Sequence, residues 1–210
     1  HMEAGNRCKD ECLPEETNRR IVDIISDVNL CYSEHARRYL MECGLPKERT
    51  FVTGSPMAEV LHANLDKIEA SDVHQRLGLT KGQYILLSAH REENIDTDRN
   101  FVQLFTAVNA MAEKYDMPIL YSCHPRSRKR LEATGFQLDT RVIAHEPLGF
   151  LDYNCLQMNA FAVVSDSGTL PEESSFFLSV GKPFPAISIR TSTERPEALD
   201  AGCFVLAGID

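Results

Sequence analysis

The chain has 210 residues, of which 43% are hydrophobic and 25% charged, as expected for one globular domain or somewhat more. A formal net charge of −9 argues against nucleic-acid binding, because phosphate contacts along a polymer need clustered Lys and Arg, but it leaves room for a small anionic ligand in a local pocket. The sequence shows no apolar run of membrane-spanning length and no signal segment, so we expect no membrane partner.

The cysteines predict a cytoplasmic location without a metal site. Seven cysteines are an odd number, they form no C-x-x-C pair, and most lie in apolar or strand-like runs. This pattern favours buried free thiols in a reducing cytosol. Cys8 and Cys12 lie near His1, but no second cluster of ligands accompanies them, so we predict no metal.

The first part of the chain predicts a short α/β segment. Residues 14–27 place a proline, then acids, then apolar residues at helical spacing. Residues 28–33 are predicted to form a strand, 34–43 a helix that ends at Gly44, and 49–53 a second strand. A doubly wound sheet has a strand before the turn-like opening segment, so we expect earlier βα units upstream; the first two residues also fit a cloning remnant.

The middle of the chain predicts a domain junction. Two helices are predicted, over 57–70 and 71–77, where the sequence changes from strand-bearing to helical and polar. We therefore predict the remainder of an N-terminal Rossmann-like domain over 1–56, a helical connection over 57–70, and a C-terminal Rossmann-like domain over 71–210.

Beyond residue 83, strands and helices alternate. Strands are predicted at 84–89, 118–122, 141–144, 161–165, 184–189 and 204–207. Helices are predicted at 98–115, 127–134, 150–158, 170–180 and 195–201. Nearly continuous apolar strands that alternate with helices predict a parallel sheet covered on both faces, and therefore a doubly wound α/β fold.

The stretch 161–173, F-A-V-V-S-D-S-G-T-L-P-E-E, combines a buried strand, a turn and a helix start. Thr169 is predicted to be the N-cap, and Glu172 and Glu173 place carboxylates in the first turn. A helix that starts in this way presents free backbone amides to an anion. A nucleotide-phosphate cradle, with one of these acids on the ribose, and a well-capped strand–helix connection explain these residues equally well.

Polar residues follow the predicted strands at the edge where ligands of open α/β sheets bind. They are S-A-H-R-E at 88–92, S-C-H-P-R at 122–126, H-E at 145–146, S-D-S-G-T at 165–169 and R-T-S-T-E-R at 190–195. A single histidine at a strand end is usually structural, but three of them beside arginines suit a polyanion. The pattern therefore favours a phosphate site on this edge.

Two acids of the first segment, Glu3 and Glu15, are candidates for general acid and base at a sugar carbon if they face that edge. For Glu15 taken alone, a solvated acid that compensates the helix dipole is the simpler interpretation. The chain has no G-x-S-x-G, G-x-x-x-x-G-K-[ST] or G-x-G-x-x-G motif, so a serine nucleophile, ATP and NAD in their usual sites are not predicted.

Six motifs occur in a fixed order along the whole chain: H-M-E-A-G-N-R, P-E-E-T-N-R-R, V-T-G-S-P, S-A-H-R-E-E-N, S-D-S-G-T-L-P-E-E and T-S-T-E-R-P-E-A. In this order they resemble the non-hydrolysing UDP-N-acetylglucosamine 2-epimerases. Within that family, R-C-K-D-E-C-L-P-E-E-T-N-R and S-D-S-G-T resemble most the branch that makes UDP-N-acetyl-L-fucosamine from its C2 epimer for surface polysaccharide.

The resemblance implies two Rossmann-like domains of the GT-B type, with the active site in the cleft between them and the first domain incomplete in this chain. It implies that removal of the C2 proton is followed by loss of UDP, which leaves a 2-acetamidoglycal to which UDP adds again. It also implies a UDP-sugar substrate, a possible UDP-sugar activator, no cofactor, and a homodimer for the full-length protein.

By motif, the resemblance assigns catalysis to Glu3, Glu15 and His90. It assigns substrate binding to Ser167, Gly168, Thr169, Glu173, Arg195 and Tyr153. Arg91 and His124 match positions that contact an activating UDP-sugar in some members. In the family, Gln is common at the position of Leu148 and Phe at the position of Tyr153. These two differences leave the identity of the substrate sugar open.

Two other interpretations remain. One is a GT-B glycosyltransferase that uses a UDP-sugar, and the other is a UDP-sugar-binding fragment without turnover, because chemistry across a cleft needs both of its walls.

Overall fold

The computed structural model describes residues 1–8, 14–95 and 97–208. Within these ranges the strands form two sheets, one of two strands and one of six, and all pairings between strands are parallel. We call the part that holds the small sheet the first lobe and the part that holds the large sheet the second lobe.

The first lobe contains α1 (Pro14–Ile25), β1 (Asn29–Cys31), α2 (Glu34–Glu42), a single 3-10 turn (Lys47–Arg49) and β2 (Thr50–Val52). The helix α2 begins where Ser33 accepts a hydrogen bond from the Ala36 amide at 3.2 Å, which is a side-chain N-cap. Met2 forms a parallel bridge with Leu30. Glu3, the next residue, therefore lies towards the carboxyl end of the small sheet.

The second lobe continues with the following elements: α3 (Met57–Glu69), α4 (Val73–Leu77), β3 (Ile85–Ser88), α5 (Glu92–Ile95), α6 (Asp98–Tyr115), β4 (Ile119–Ser122), α7 (Pro125–Thr134), β5 (Val142–His145), α8 (Phe150–Asn159), β6 (Ala162–Ser165), α9 (Leu170–Ser179), β7 (Ala186–Ser188), α10 (Pro196–Asp200) and β8 (Val205–Leu206). Regular alternation of strand and helix thus extends through this lobe, and the predicted Rossmann-like parallel fold is confirmed.

The large sheet has the strand order β5-β4-β3-β6-β7-β8. The chain builds outward from β3 in one direction and then returns to β6 on the other side of β3. Such a reversal leaves a crevice at the carboxyl ends of the two central strands, and this is where open α/β sheets bind ligands. The order therefore selects the loops after β3 and β6 as the place for a site.

The core lies on both faces of the large sheet because alternate strand residues point in opposite directions. Leu86 and Val163 pack with Phe177 on one face. Ile85 and Leu87 pack with aromatic residues of α6 on the other face. Each such fully buried side chain contributes about 1.5–3 kcal/mol relative to an exposed one, so both faces stabilise the sheet that carries the crevice.

The observed elements differ from the predicted ones mainly at their ends. Helix α1 stops two residues earlier than predicted. Helix α7 starts two residues earlier, because His124 accepts a hydrogen bond from the Arg126 amide and Pro125 fits the first helical position. The four-residue helix α5 was not predicted, because one turn shows no hydrophobic period.

The helix α3, which was predicted to connect two domains, packs against α8 and α9 of the second lobe. Leu61 and Ile68 of α3 are fully buried in the core beneath the large sheet. The division at 1–56, 57–70 and 71–210 stays a prediction.

Six cysteines are free thiols, four of them buried, and Cys12 lies outside the described residues. Among the described residues no group of three or more His, Cys, Asp or Glu is arranged to hold a metal ion. No helix in the described part of the chain combines the length and apolar character needed to cross a bilayer.

Candidate functional site

Asp166, directly after β6, ties the loops of the two central strands together. It is fully buried, and its Oδ2 accepts hydrogen bonds from the amides of His90 and Arg91 at 2.8 and 2.9 Å. The side-chain amide of Asn94 donates to the same oxygen at 2.9 Å. The loop after β3 is therefore held against the loop after β6.

The imidazole of His90 is paired with the same carboxylate and half exposed at the crevice. Its Nδ1 lies 3.0 Å from Asp166 Oδ1, and 49% of the side chain is accessible. The hydrogen bond to Asp166 raises the pKa of His90 above its usual value, against the effect of burial. Burial acts to raise the pKa of Asp166, but His90 and the nearby donors hold it below its usual value. The pairing thus stabilises the protonated form of His90 more than water would stabilise it in a free imidazole.

The turn from β6 into α9 is built by local hydrogen bonds. The Ser167 amide donates to Ser165 Oγ at 3.0 Å, and the Ser167 and Thr169 hydroxyls lie 2.9 Å apart. Among the described residues, no acceptor is recorded for the amides of Gly168 and Leu170. Amides at the positive end of a ten-residue helix are suited to bind an anion.

Gly168 lies in a close-packed position in this turn. A Cβ atom there would meet Glu194 Oε1 at 3.1 Å and Arg91 Nη2 at 3.6 Å. Thr169 occupies the N-cap position as predicted, but the predicted side-chain cap is absent. Its backbone is in the helical region, and its hydroxyl donates to Glu173 Oε1 at 2.9 Å instead.

Glu173 is a buried acid behind the turn, 8% exposed. Besides Thr169, the Gln157 side chain donates to its Oε2 at 2.7 Å. Burial raises the pKa of Glu173 despite these two donors. Burial, and then the nearby Glu173 carboxylate, raise the pKa of Tyr153, so the phenol and the acid share one environment.

Arg195 lies at the contact between the two lobes. Its Nη2 donates to Glu3 Oε1 at 2.6 Å and to Glu172 Oε1 at 2.7 Å, and its Nε donates to Glu172 Oε1 at 2.9 Å. The guanidinium carbon lies 5.3 Å from the ring centre of Tyr32. Only 5% of Arg195 is exposed, and burial acts to lower its pKa, but the two carboxylates raise it overall.

The family model for UDP-N-acetylglucosamine 2-epimerase matches residues 1–210. The chain belongs to the UDP-N-acetylglucosamine 2-epimerase family. A UDP-N-acetylglucosamine 2-epimerase of Methanococcus maripaludis is 34% identical over 217 residues, which cover 100% of this chain and 58% of the relative. The members named among the relatives are epimerases, and epimerases are isomerases.

Solved structures of the family have the same fold. The UDP-N-acetylglucosamine 2-epimerase of Rickettsia bellii is 44% identical with a TM-score of 0.91, and the match covers 100% of this chain and 54% of that one. The Methanocaldococcus jannaschii enzyme, solved in complex with UDP-GlcNAc and UDP, is 31% identical with a TM-score of 0.90, covering 100% and 58%. This epimerase-family chain thus spans somewhat more than half the length of these relatives.

The structure brings most of the predicted site residues to two neighbouring places. His90, Arg91 and the 167–169 turn meet around Asp166. Glu3 and Arg195 meet at the contact between the lobes. Glu194, which precedes Arg195 in the chain, packs against Gly168. This contact joins the two places.

Two predicted residues lie apart from these contacts. The side chain of Glu15 is exposed on α1, and no described contact links its carboxylate to either place. His124 is exposed at the start of α7, at the same sheet edge as His90 because Ser122 pairs with Ser88. Their roles in this epimerase family member stay predictions.

Two buried acids were not predicted as site residues: Asp166 at the crevice and Glu16 on α1. Asp166 has no sequence signal beyond its place in a strand-to-helix turn. Glu16 is 1% exposed and accepts a hydrogen bond from Arg20 Nε at 3.0 Å. The spacing of four residues between Glu16 and Arg20 is a signal for such a pair on a helix.

Proposed function

We propose that the protein to which this chain belongs is a UDP-N-acetylhexosamine 2-epimerase that acts by elimination and re-addition of UDP. The observation that carries the proposal is that Asp166 holds the His90 loop against the turn into α9 at the topological switch point. A nucleoside diphosphate suits this place, because amides at a helix start, a hydroxyl and an imidazole can each donate a hydrogen bond to a phosphate oxygen.

The binding half of the proposal assigns each donor to a part of UDP. The amides of Gly168 and Leu170, the Ser167 hydroxyl and His90 hold the diphosphate. Glu173 accepts hydrogen bonds from the ribose diol, and Tyr153 offers a ring face to uracil. Preorganised donors lower the barrier for UDP departure, because they stabilise charge that develops on the leaving diphosphate.

The chemical half of the proposal uses acids of the first lobe. A carboxylate, Glu3 or Glu15, takes the C2 proton, and the electron pair forms the C1–C2 double bond as the C1–O bond breaks and UDP leaves. The other acid protonates C2 on the opposite face when UDP adds again at C1. Glu3 is already held at the contact between the lobes by Arg195.

The substrate is proposed to be UDP-GlcNAc with UDP-ManNAc as its epimer, or the precursor of UDP-N-acetyl-L-fucosamine, for surface polysaccharide. The M. jannaschii relative bound to UDP-GlcNAc and UDP supports the nucleotide part. The motif around Thr169 supports the fucosamine branch. A cytoplasmic homodimer, with Arg91 and His124 at an activating UDP-sugar, completes the proposal.

Turnover in heavy water tests the proposal. The full-length protein is incubated with UDP-GlcNAc in deuterium oxide, and C2 of the recovered sugar nucleotides is read by NMR. We expect deuterium at C2 of the epimer. Consumption of the UDP-sugar without C2 exchange, in the presence of sugar acceptors, would instead indicate a glycosyltransferase. UDP binding by calorimetry without any turnover would indicate a binding protein.

A further inference from the structure

Four side chains from both lobes meet in one cluster, which we call the seam cluster: Glu3, Tyr32, Glu172 and Arg195. Tyr32, Glu172 and Arg195 line a cavity of about 310 Å³. Burial raises the pKa of Tyr32, and the carboxylates of Glu3 and Glu172 raise it further, so the phenol lies close to both acids. The cluster holds one guanidinium between two carboxylates, each supplied by a different lobe.

Both oxygens of Glu172 are engaged. Oε1 accepts two hydrogen bonds from Arg195, and Oε2 accepts one from Ser55 Oγ at 2.5 Å. Ser55 is fixed in turn, because the amide of Met57 donates to its Oγ at 3.1 Å. Glu172 is therefore anchored to the segment that links the lobes as well as to its own helix.

Glu3 has less support of its own. Its side chain is 42% exposed, and its described polar partners are Arg195 and, at 3.2 Å, the Asn6 side chain. Its backbone has φ = 66°, the left-handed region that non-glycine residues rarely adopt. The backbone conformation thus sets the direction of the side chain, but the carboxylate itself is held mainly by Arg195 of the second lobe.

We propose that Glu172 is a positioning residue for the epimerisation, acting through Arg195 on Glu3. This inference rests on the proposed function, in which Glu3 exchanges a proton with C2. The Nε and Nη2 groups of Arg195 both donate to Glu172, which fixes the plane of the guanidinium. Nη2 also donates to Glu3 and so holds its carboxylate. A neutral side chain at position 172 holds the guanidinium less firmly, because charge-assisted hydrogen bonds are the stronger ones, and the Glu3 carboxylate then moves with Arg195.

Glu172→Gln tests this inference in the full-length protein. A displacement of about 1 Å at a reacting group costs on the order of 100-fold, so we expect kcat for the epimerisation to fall about 10- to 100-fold. The Kd for UDP stays within about threefold, since the diphosphate cradle and Glu173 are intact. The control is Glu197→Gln, which removes an acid from the same cavity without a recorded contact to Arg195 and leaves kcat unchanged.

A double-mutant cycle separates a positioning role from a general structural one. If Glu172 acts through Arg195, the Glu172→Gln, Arg195→Lys double variant loses no more of kcat than Arg195→Lys alone, because coupled residues are not additive. If the two single-variant losses of kcat multiply in the double variant, or if kcat is unchanged in Glu172→Gln, this inference is overturned while the proposed function stands. A wild-type protein that places no deuterium at C2 would overturn the proposed function and this inference with it.

Discussion

At the scale of the residue, the carboxylate of Asp166 has two roles, each carried by a different oxygen. Its Oδ2 gathers the amides of the β3 loop, and its Oδ1 faces the imidazole of His90. The first contact sets the shape of the crevice, and the second sets its charge. Because the two tasks use different oxygens, a substitution that keeps the shape and removes the charge can separate them.

Asp166→Asn should change the pH dependence of UDP binding. In the wild type, His90 has a pKa raised above its usual value of 6.5, so it is protonated below that raised pKa and loses its charge as the pH rises through it. UDP affinity should therefore decline above pH 6.5, and in Asp166→Asn the decline should move to lower pH, because the amide no longer favours the imidazolium.

Calorimetric titrations of UDP across a pH series measure this shift. Asp139→Asn is a suitable control, because Asp139 pairs with Arg141 ahead of β5, at the opposite edge of the sheet. The same midpoint in Asp166→Asn and the wild type would show that His90 does not carry the pH dependence of binding.

At the scale of the element, helix α9 combines an anion site at its first amides with the Glu173 carboxylate one turn later. If Glu173 binds the ribose, Glu173→Gln should weaken UDP binding by about 1–3 kcal/mol, through loss of charge-assisted hydrogen bonds. Gln has nearly the same shape and keeps an acceptor for one of its two neighbours, Thr169 and Gln157.

A second ligand makes this test specific. The wild type should bind 2′-deoxy-UDP more weakly than UDP, whereas Glu173→Gln should discriminate less between the two ligands. If the variant still prefers UDP by the full wild-type ratio, the ribose diol is recognised elsewhere.

The elements themselves were largely predictable, and their contacts were not. The strand predicted at 84–89 is confirmed at Ile85–Ser88, because an uninterrupted apolar run has few alternatives to a buried strand. The helix α9 could be placed from Pro171 and the acids of its first turn. The sequence pattern contains no information on strand order, so it could not show that β3 lies beside β6.

Long-range charge pairs were equally hidden. Arg195 and Glu3 are 192 positions apart, and neither has a sequence pattern that names the other. Their roles were inferred from the family resemblance alone. The partly buried pairing of Glu172 with Ser55 and Arg195 was missed, because an acid in the first turn of a helix is explained well enough by the helix dipole.

At the scale of the whole molecule, the net charge of −9 is compatible with a small anionic ligand, because such a ligand responds to its local pocket and not to the total charge. Arg91, Arg190 and His90 lie at the carboxyl edge of the large sheet, where His90 pairs with Asp166 and Arg190 with Glu194. The two lobes meet there through a few polar contacts: Arg195 with Glu3, Ser55 with Glu172, and Arg19 with Glu194 at 3.6 Å. In the proposed function, nucleotide binding therefore belongs to one lobe, and proton transfer depends on the contact between both.

This separation predicts that binding and turnover can be obtained apart. The second lobe holds every residue proposed to bind UDP, whereas this chain spans somewhat more than half the length of its solved relatives. Chemistry across a cleft needs both of its walls. The 210-residue chain by itself should therefore bind UDP measurably by calorimetry and show weak or no C2 exchange in heavy water. Full-length protein provides the positive control for exchange, and rapid exchange by the 210-residue chain would mean that these residues contain the complete catalytic set.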